Sequence, residues 1–219
     1  MRRERYGGKG GKGGKAGRLA LLWALAVPSA AAAQWEFDVR AGIAGSSVLL
    51  EDLVATPRVA EALGARFEGA VRARPAAGPA VTFAARTGLN RRFSAELSAG
   101  WTATSLQAED ATGTRDLQDI GVGHATLGIR TALGGRVSGN AGFGAIRYFA
   151  DEEGVFAEGS DLSPLLEAGV AVAVWRGLSV RASGQAHRFN SHVIRVLGGK
   201  EGSVFRWSVQ AGWTFGGAR

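Results

Sequence analysis

Val204-Phe205-Arg206-Trp207-Ser208-Val209-Gln210-Ala211-Gly212-Trp213-Thr214-Phe215 reads as a single strand. Phe205, Trp207, Val209, Ala211, Trp213 and Phe215 occupy one phase of a two-residue period, and Arg206, Ser208, Gln210, Gly212 and Thr214 the other. The strand therefore has one greasy face and one polar face. It is about twice as long as the ~5–6 residues usual for strands of soluble domains. A tilted strand of ~9–11 residues is what crosses a bilayer in a closed barrel.

The same pattern recurs upstream. Trp35, Phe37, Val39, Ala41 and Ile43 oppose Glu36, Asp38, Arg40, Gly42 and Ala44, and Val81, Phe83, Ala85, Thr87 and Leu89 oppose Thr82, Ala84, Arg86 and Gly88. Phe93, Ala95, Leu97, Ala99, Trp101 and Ala103 oppose Ser94, Glu96, Ser98, Gly100 and Thr102. Two later segments follow suit, with Leu166 to Val174 and Leu178 to Ala186 contributing their even positions to an uncharged face. With the closing strand these faces hold 32 positions and no charge, although 37 of the 186 residues after Ala33 are charged. An Arg or Lys at the midplane of a lipid-facing strand costs roughly 2–4 kcal/mol, which accounts for the exclusion. The uncharged face is read as the lipid face.

Two further segments are less regular. Ala125, Leu127, Ile129, Thr131 and Leu133 form a greasy face opposite His124, Thr126, Gly128 and Arg130, but Ile120 and Val122 lie in the other phase. A bulge near Gly121 to Gly123, or a rim above the membrane, is expected there. Val137, Gly139, Ala141, Phe143 and Ala145 face outward in the fifth segment, with the phase slipping at Ile146 and Tyr148.

Connections give a separate indication. Tight turns at 90–92, 134–136 and 175–177 alternate with long polar connections at 46–78, 105–117, 150–163 and 190–202. Alternating short and long links, with an even strand count, match a spanning barrel with short periplasmic turns and longer outer loops. Trp35, Phe93, Trp175, Trp213 and Phe215 fall at the turn ends, while Trp101, Tyr148, Phe149, Phe189 and Trp207 fall toward the loop ends, as two aromatic girdles. The expected fold is all-β, an eight-stranded antiparallel up-and-down transmembrane barrel. In the long loop 46–78, two short amphipathic helical turns around Pro57 are one reading. An upward extension of the second strand, bent at Pro75 and Pro79, is the other.

Residues 1–33 read as a signal peptide. Basic, Gly-rich residues 2–18 precede the apolar run Leu19 to Val27, then Pro28-Ser29 and the small-residue end Ala31-Ala32-Ala33, with cleavage expected before Gln34. This segment carries seven Lys/Arg against Glu4, and the remaining 19 Lys/Arg face 18 Asp/Glu. The chain's formal charge of +7 therefore belongs to its N-terminus, and residues 34–219, the expected barrel, lack the footprint of a nucleic-acid partner. The chain has no Cys, which excludes disulfides and thiolate metal sites.

The inward face concentrates the charges: Glu36, Asp38, Glu96 and Glu167 against Arg40, Arg86, Arg130, Arg181 and Arg206. Eight strands leave an interior that side chains can fill, so these groups are expected to pair in a plugged lumen. The turn centred on Arg91 sets Arg86 opposite Glu96, and the turn centred on Gly135 sets Arg130 opposite Asn140. Glu96 is thus expected to bridge Arg86 and Arg130. An ion path or gate is the functional alternative. No catalytic constellation, cofactor motif or metal-ligand spacing is present among His124, His187 and His192 and their neighbours.

The closing strand, ending in an aromatic, resembles those of bacterial outer-membrane β-barrels. The alternation over residues 34–215 resembles the eight-stranded families that include the OmpA membrane domain and OmpW-like proteins. That resemblance implies a cell outer-membrane location, lipid contact, and recognition of strand 204–215 by the barrel-assembly machinery. Its expected role is non-enzymatic, structural or surface-interacting, with a surface ligand at the outer loops. The alternatives are a narrow porin-like channel and a lipid A deacylase-like enzyme. The deacylases carry His and Ser two apart on one outer strand face, whereas Phe189 stands two beyond His187, which is expected to point inward. A soluble lipocalin-like binder would reverse the two faces and expose a Gly- and Ser-rich surface to water.

Overall fold

The computed structural model describes residues 34–54, 70–150, 160–189 and 202–216. Residues 1–33, read above as a signal peptide, His192, and the central parts of three of the outer connections lie outside the described residues. The strands are β1 (Trp35–Ser46), β2 (Leu50–Val54), β3 (Ala70–Pro75), β4 (Gly78–Gly88), β5 (Phe93–Asp110), β6 (Gly113–Gly134), β7 (Val137–Ala150), β8 (Ser163–Trp175), β9 (Leu178–Phe189) and β10 (Gly202–Gly216). Eight of them, in the order β5-β4-β1-β10-β9-β8-β7-β6, form a ring that β5–β6 pairing closes. Every pairing is antiparallel. Closure matters physically, because a spanning sheet with a free edge would leave backbone polar groups unpaired in hydrocarbon.

Within that ring β10 pairs with β1, setting Phe37 against Phe215 and Ile43 against Val209. The greasy residues of both strands point outward: Phe37, Val39, Ile43, Phe205, Val209, Trp213 and Phe215 are exposed, while Asp38, Arg40, Arg206 and Gln210 are buried inside. The turn below β6 uses Gly134 and Gly135, both at positive φ, where a side chain would be strained.

β2 and β3 correct the reading of the connection 46–78. Residues 50–54 are a strand, not a helical turn, and pair with β3, which in turn pairs with β5 above the point where β4 leaves it. The β1–β4 hairpin thus continues outward as β2–β3. Pro75 and Pro79 flank the jog, across which burial switches from the even positions of β4 to the odd positions Val71, Ala73 and Pro75. A proline supplies no ladder donor and so collects at such irregularities. The connection 105–117 is also not a loop: β5 and β6 stay paired to Asp110 and Gly113, with one bulge between Leu106 and Gln107. Asp110 closes this turn by accepting hydrogen bonds from the Thr112 and Gly113 amides.

No bulge occurs at 121–123. The β5–β6 register runs unbroken from Phe93 with Thr131 to Leu106 with Gln118, and β7 likewise keeps its phase through Ile146 and Tyr148. Ile120, Val122, Ile146 and Tyr148 instead point into the barrel and are buried. The change is in the lumen, which turns from polar to apolar toward the outer end.

Candidate functional site: the barrel lumen

The inward row of each strand builds the lumen in two layers. In the lower layer Asp38 and Arg40, two apart on β1 and so on one face, pair at 2.7 Å. Arg40 also reaches Glu96 on β5 at 3.4 Å. Arg181 on β9 lies 2.5 Å from Glu96 and 2.5 Å from Glu167. Gln185 donates to Glu167 at 2.8 Å and accepts from Arg206 at 3.2 Å, and Arg206 donates also to Thr102. Gln210 donates to Thr82 at 3.0 Å. Each buried charge in this chain of contacts is met by a charge or a hydrogen-bonding group, as a low-dielectric interior requires.

The turn places Arg86 opposite Glu96, and Arg130 opposite Asn140, in Cα register. Side-chain partners differ from those expected. Glu96 does pair with Arg130, at 3.8 Å. Arg86 turns away from it to Glu36, which faces it across β1, and comes within 3.7 Å of Asp38. Glu96 is engaged instead by Arg181 from the far wall. Two physical reasons act: Glu36 is the register neighbour of Arg86 on β1, and the Arg181 side chain is long enough to span the narrow lumen to Glu96.

Above this layer lies a cluster that the alternation did not disclose. Leu106, Ile120, Val122, Ile146, Tyr148, Leu165, Phe189 and Val204 pack together from six strands, joined by Leu49, Val71, Ala73 and Ala108. Tyr148 and Phe189, expected in the outer girdle, are inside; their rings meet edge-on at 5.0 Å. The unbroken even phase of β6 was the available signal. His187 points inward, and its Nε2 shares a 3.0 Å hydrogen bond with the Tyr148 hydroxyl.

The other aromatics named as girdles are exposed on the outer wall: Trp35, Phe93, Trp175, Trp213 and Phe215 toward the turns, and Trp101, Phe149 and Trp207 toward the loops. Trp175 and Trp213 meet edge-on, 6.3 Å apart. Among the described residues no three His, Cys, Asp or Glu are grouped to hold a metal.

The sequence profile of the outer membrane protein beta-barrel domain matches residues 18–215. The chain belongs to that family. It is an eight-stranded protein of the bacterial outer membrane, and its uncharged outer face is the one that meets lipid. Solved barrels share the fold at low identity. AlkL, determined in DMPC lipid bilayers, is 12% identical with a TM-score of 0.53, the alignment covering 88% of this chain and 95% of AlkL. Ail of Yersinia pestis, solved with the heparin analogue sucrose octasulfate, is 16% identical over 83% and 99% of the two chains with a TM-score of 0.49. OprG of Pseudomonas aeruginosa is 15% identical over 82% and 95%, with a TM-score of 0.43. The comparison with curated proteins gave no match.

Proposed function

We propose that this family member is a non-enzymatic structural and surface-interaction barrel whose lumen is closed by its own side chains. One observation carries the reading. Glu96 and Arg181, on strands four apart in a ring of eight, form an ion pair across the full width of the lumen. The apolar cluster above it adds a second barrier, since a constriction lined by Leu, Ile, Val and Phe disfavours water and ions. What remains for the outside is the surface built by β2, β3 and the outer ends of β5 and β6, which continues beyond the ring and offers a ligand-binding face. We further propose that strand 204–215, within β10, is the segment the barrel-assembly machinery recognises.

Conductance of the purified, refolded protein in planar bilayers is the test. The expected result is no steady unitary current. A reproducible open level would overturn this reading in favour of the narrow channel. Release of an acyl chain from lipid A by the same preparation would favour the enzyme.

A further inference from the structure

The short turns carry arginine and no acid. Arg91 and Arg92 lie in the β4–β5 turn, Arg136 stands just before β7, and Arg176 lies in the β8–β9 turn; all four are exposed. None makes an ion pair among the described residues. The exposed carboxylates Glu109, Asp116, Asp119 and Asp161 lie at the opposite end of the barrel. At the turn end Asp38 is buried, and Glu36 is held by Arg86.

Two of these arginines converge on one pair of aromatic rings. The Ala173 amide donates to the Arg136 carbonyl at 2.9 Å, so Arg136 lies beside the end of β8. Its Nη1 donates to the Val174 carbonyl at 3.3 Å, which brings the guanidinium to a point two residues before Arg176. Trp175 stands between those two residues, 69% exposed, with Trp213 of β10 edge-on to it. The Thr214 amide donates to the Gly177 carbonyl at 2.8 Å and so holds Trp213 against the same turn. Gly177 has a φ of 79°, and a Cβ there would lie 3.0 Å from Cε2 of Trp213, so glycine both makes the turn and admits the ring.

Position selects the partner. β8 ends at Trp175 and β9 begins at Leu178, so the turn carries only Arg176 and Gly177 beyond the lipid-facing wall. Exposed tryptophans of a spanning barrel sit at headgroup level. Each headgroup zone is about 5–8 Å thick, comparable with the length of an Arg side chain. The two guanidiniums therefore end among headgroups and fall short of any partner farther from the bilayer. A guanidinium fork matches the oxygens of a phosphate. With Glu36 turned to Arg86, no described carboxylate at this end is left to receive an ammonium, so a head of net negative charge fits better than a zwitterionic one.

We infer that Arg136 and Arg176, over the Trp175–Trp213 pair, form a site for the phosphate of one anionic phospholipid in the leaflet on the turn side. The site lies outside the lumen, so it stands whether or not the lumen conducts.

The test uses the mature chain with Trp35, Trp101 and Trp207 replaced by Phe, which leaves Trp175 and Trp213 as the indoles after residue 33. The protein is reconstituted in phosphatidylcholine bilayers containing lipid with brominated chains and either a phosphoglycerol or a phosphocholine head, and quenching of the two indoles is read. The phosphoglycerol lipid should be favoured about fivefold in relative binding constant, the yield of one Arg near an anionic headgroup surface. Arg136→Gln/Arg176→Gln should bring the ratio to about one, whereas Arg91→Gln/Arg92→Gln, on another turn of the ring, should leave it unchanged. Folding of each variant is read from its heat-modifiable gel mobility. If the Phe-substituted chain does not fold, immobilisation of spin-labelled phosphatidylglycerol by the chain with all its tryptophans, with and without Arg136→Gln/Arg176→Gln, reads the same preference. Equal binding of the two lipids, or a preference that survives Arg136→Gln/Arg176→Gln, would refute the site. An equal loss in Arg91→Gln/Arg92→Gln would refute it too, by showing a charge effect spread over the whole rim.

Discussion

Glu96 on β5 and Arg181 on β9 meet at 2.5 Å although three strands lie between them in either direction around the ring. Both side chains are 5% exposed, so water contributes little to either charge. Arg181 simultaneously holds Glu167, while Glu96 holds Arg40 and Arg130. This cross-brace ties five strands of the ring together.

Removing one end of the brace should therefore be costly. Glu96→Gln leaves Arg181, Arg40 and Arg130 short of a counter-charge, and breaking a buried pair from one side costs about 3–5 kcal/mol. The expected outcome is a lower urea midpoint for the refolded barrel, partly restored in Glu96→Gln/Arg181→Gln. Arg86→Gln should couple weakly to Glu96→Gln, because Arg86 is held by Glu36 and Asp38. A double-mutant cycle with stronger coupling at Arg86 than at Arg181 would contradict the observed partner choice.

Tyr148 and His187 share a 3.0 Å side-chain hydrogen bond inside the apolar layer. Nδ1 of His187 has no partner among the described residues, so the Tyr148 contact is what satisfies the buried ring. Tyr148→Phe should cost about 1–3 kcal/mol, the penalty for stranding a buried polar group. Adding His187→Leu removes the stranded group and should recover most of the loss. Urea titration of the two variants checks both signs; a Tyr148→Phe protein as stable as the parent would show that the layer is wet.

Much of this was legible because lipid imposes one rule on every outward position. Phe205 to Phe215 could be read directly, and the turn at Arg91 correctly set Arg86 against Glu96. The lumen obeys no single rule. Its lower part selects charges and its upper part selects Ile120, Val122, Ile146 and Tyr148, so the inward phase changes chemistry without changing register. Greasy residues on the inner phase then look like a bulge. Partner choice inside the lumen was illegible for a different reason: hairpin arithmetic fixes neighbours on adjacent strands, whereas Arg181 and Glu96 meet only after the ring closes. Gly121 and Gly123 also carried a message that periodicity cannot register, since their role is to leave room for Trp101 and Phe149.

Cleavage is expected before Gln34. The small-residue end Ala31-Ala32-Ala33 stops there, and β1 begins at Trp35, which leaves no room for a later cut without shortening a strand. N-terminal sequencing of protein extracted from outer membranes should begin at Gln34. A membrane fraction that retains Met1 would remove the signal-peptide reading.

Orientation follows from the lengths of the two sets of connections. β5 and β6 run 18 and 22 residues, well beyond the ~9–11 needed to span, and their surplus lies at the Asp110–Gly113 end. That hairpin therefore stands clear of the bilayer on the side opposite the turns at 90–92 and 134–136. Because long extensions face outward in outer-membrane barrels, Thr112 should be at the cell exterior and Arg91 in the periplasm. The chain contains no Cys, so Thr112→Cys and Arg91→Cys each introduce one unique thiol at an exposed turn. In intact cells a membrane-impermeant maleimide should label Thr112→Cys and spare Arg91→Cys, and after envelope rupture it should label both. Labelling of Arg91→Cys alone in intact cells would invert the barrel. It would leave the lumen and its Glu96–Arg181 brace unchanged.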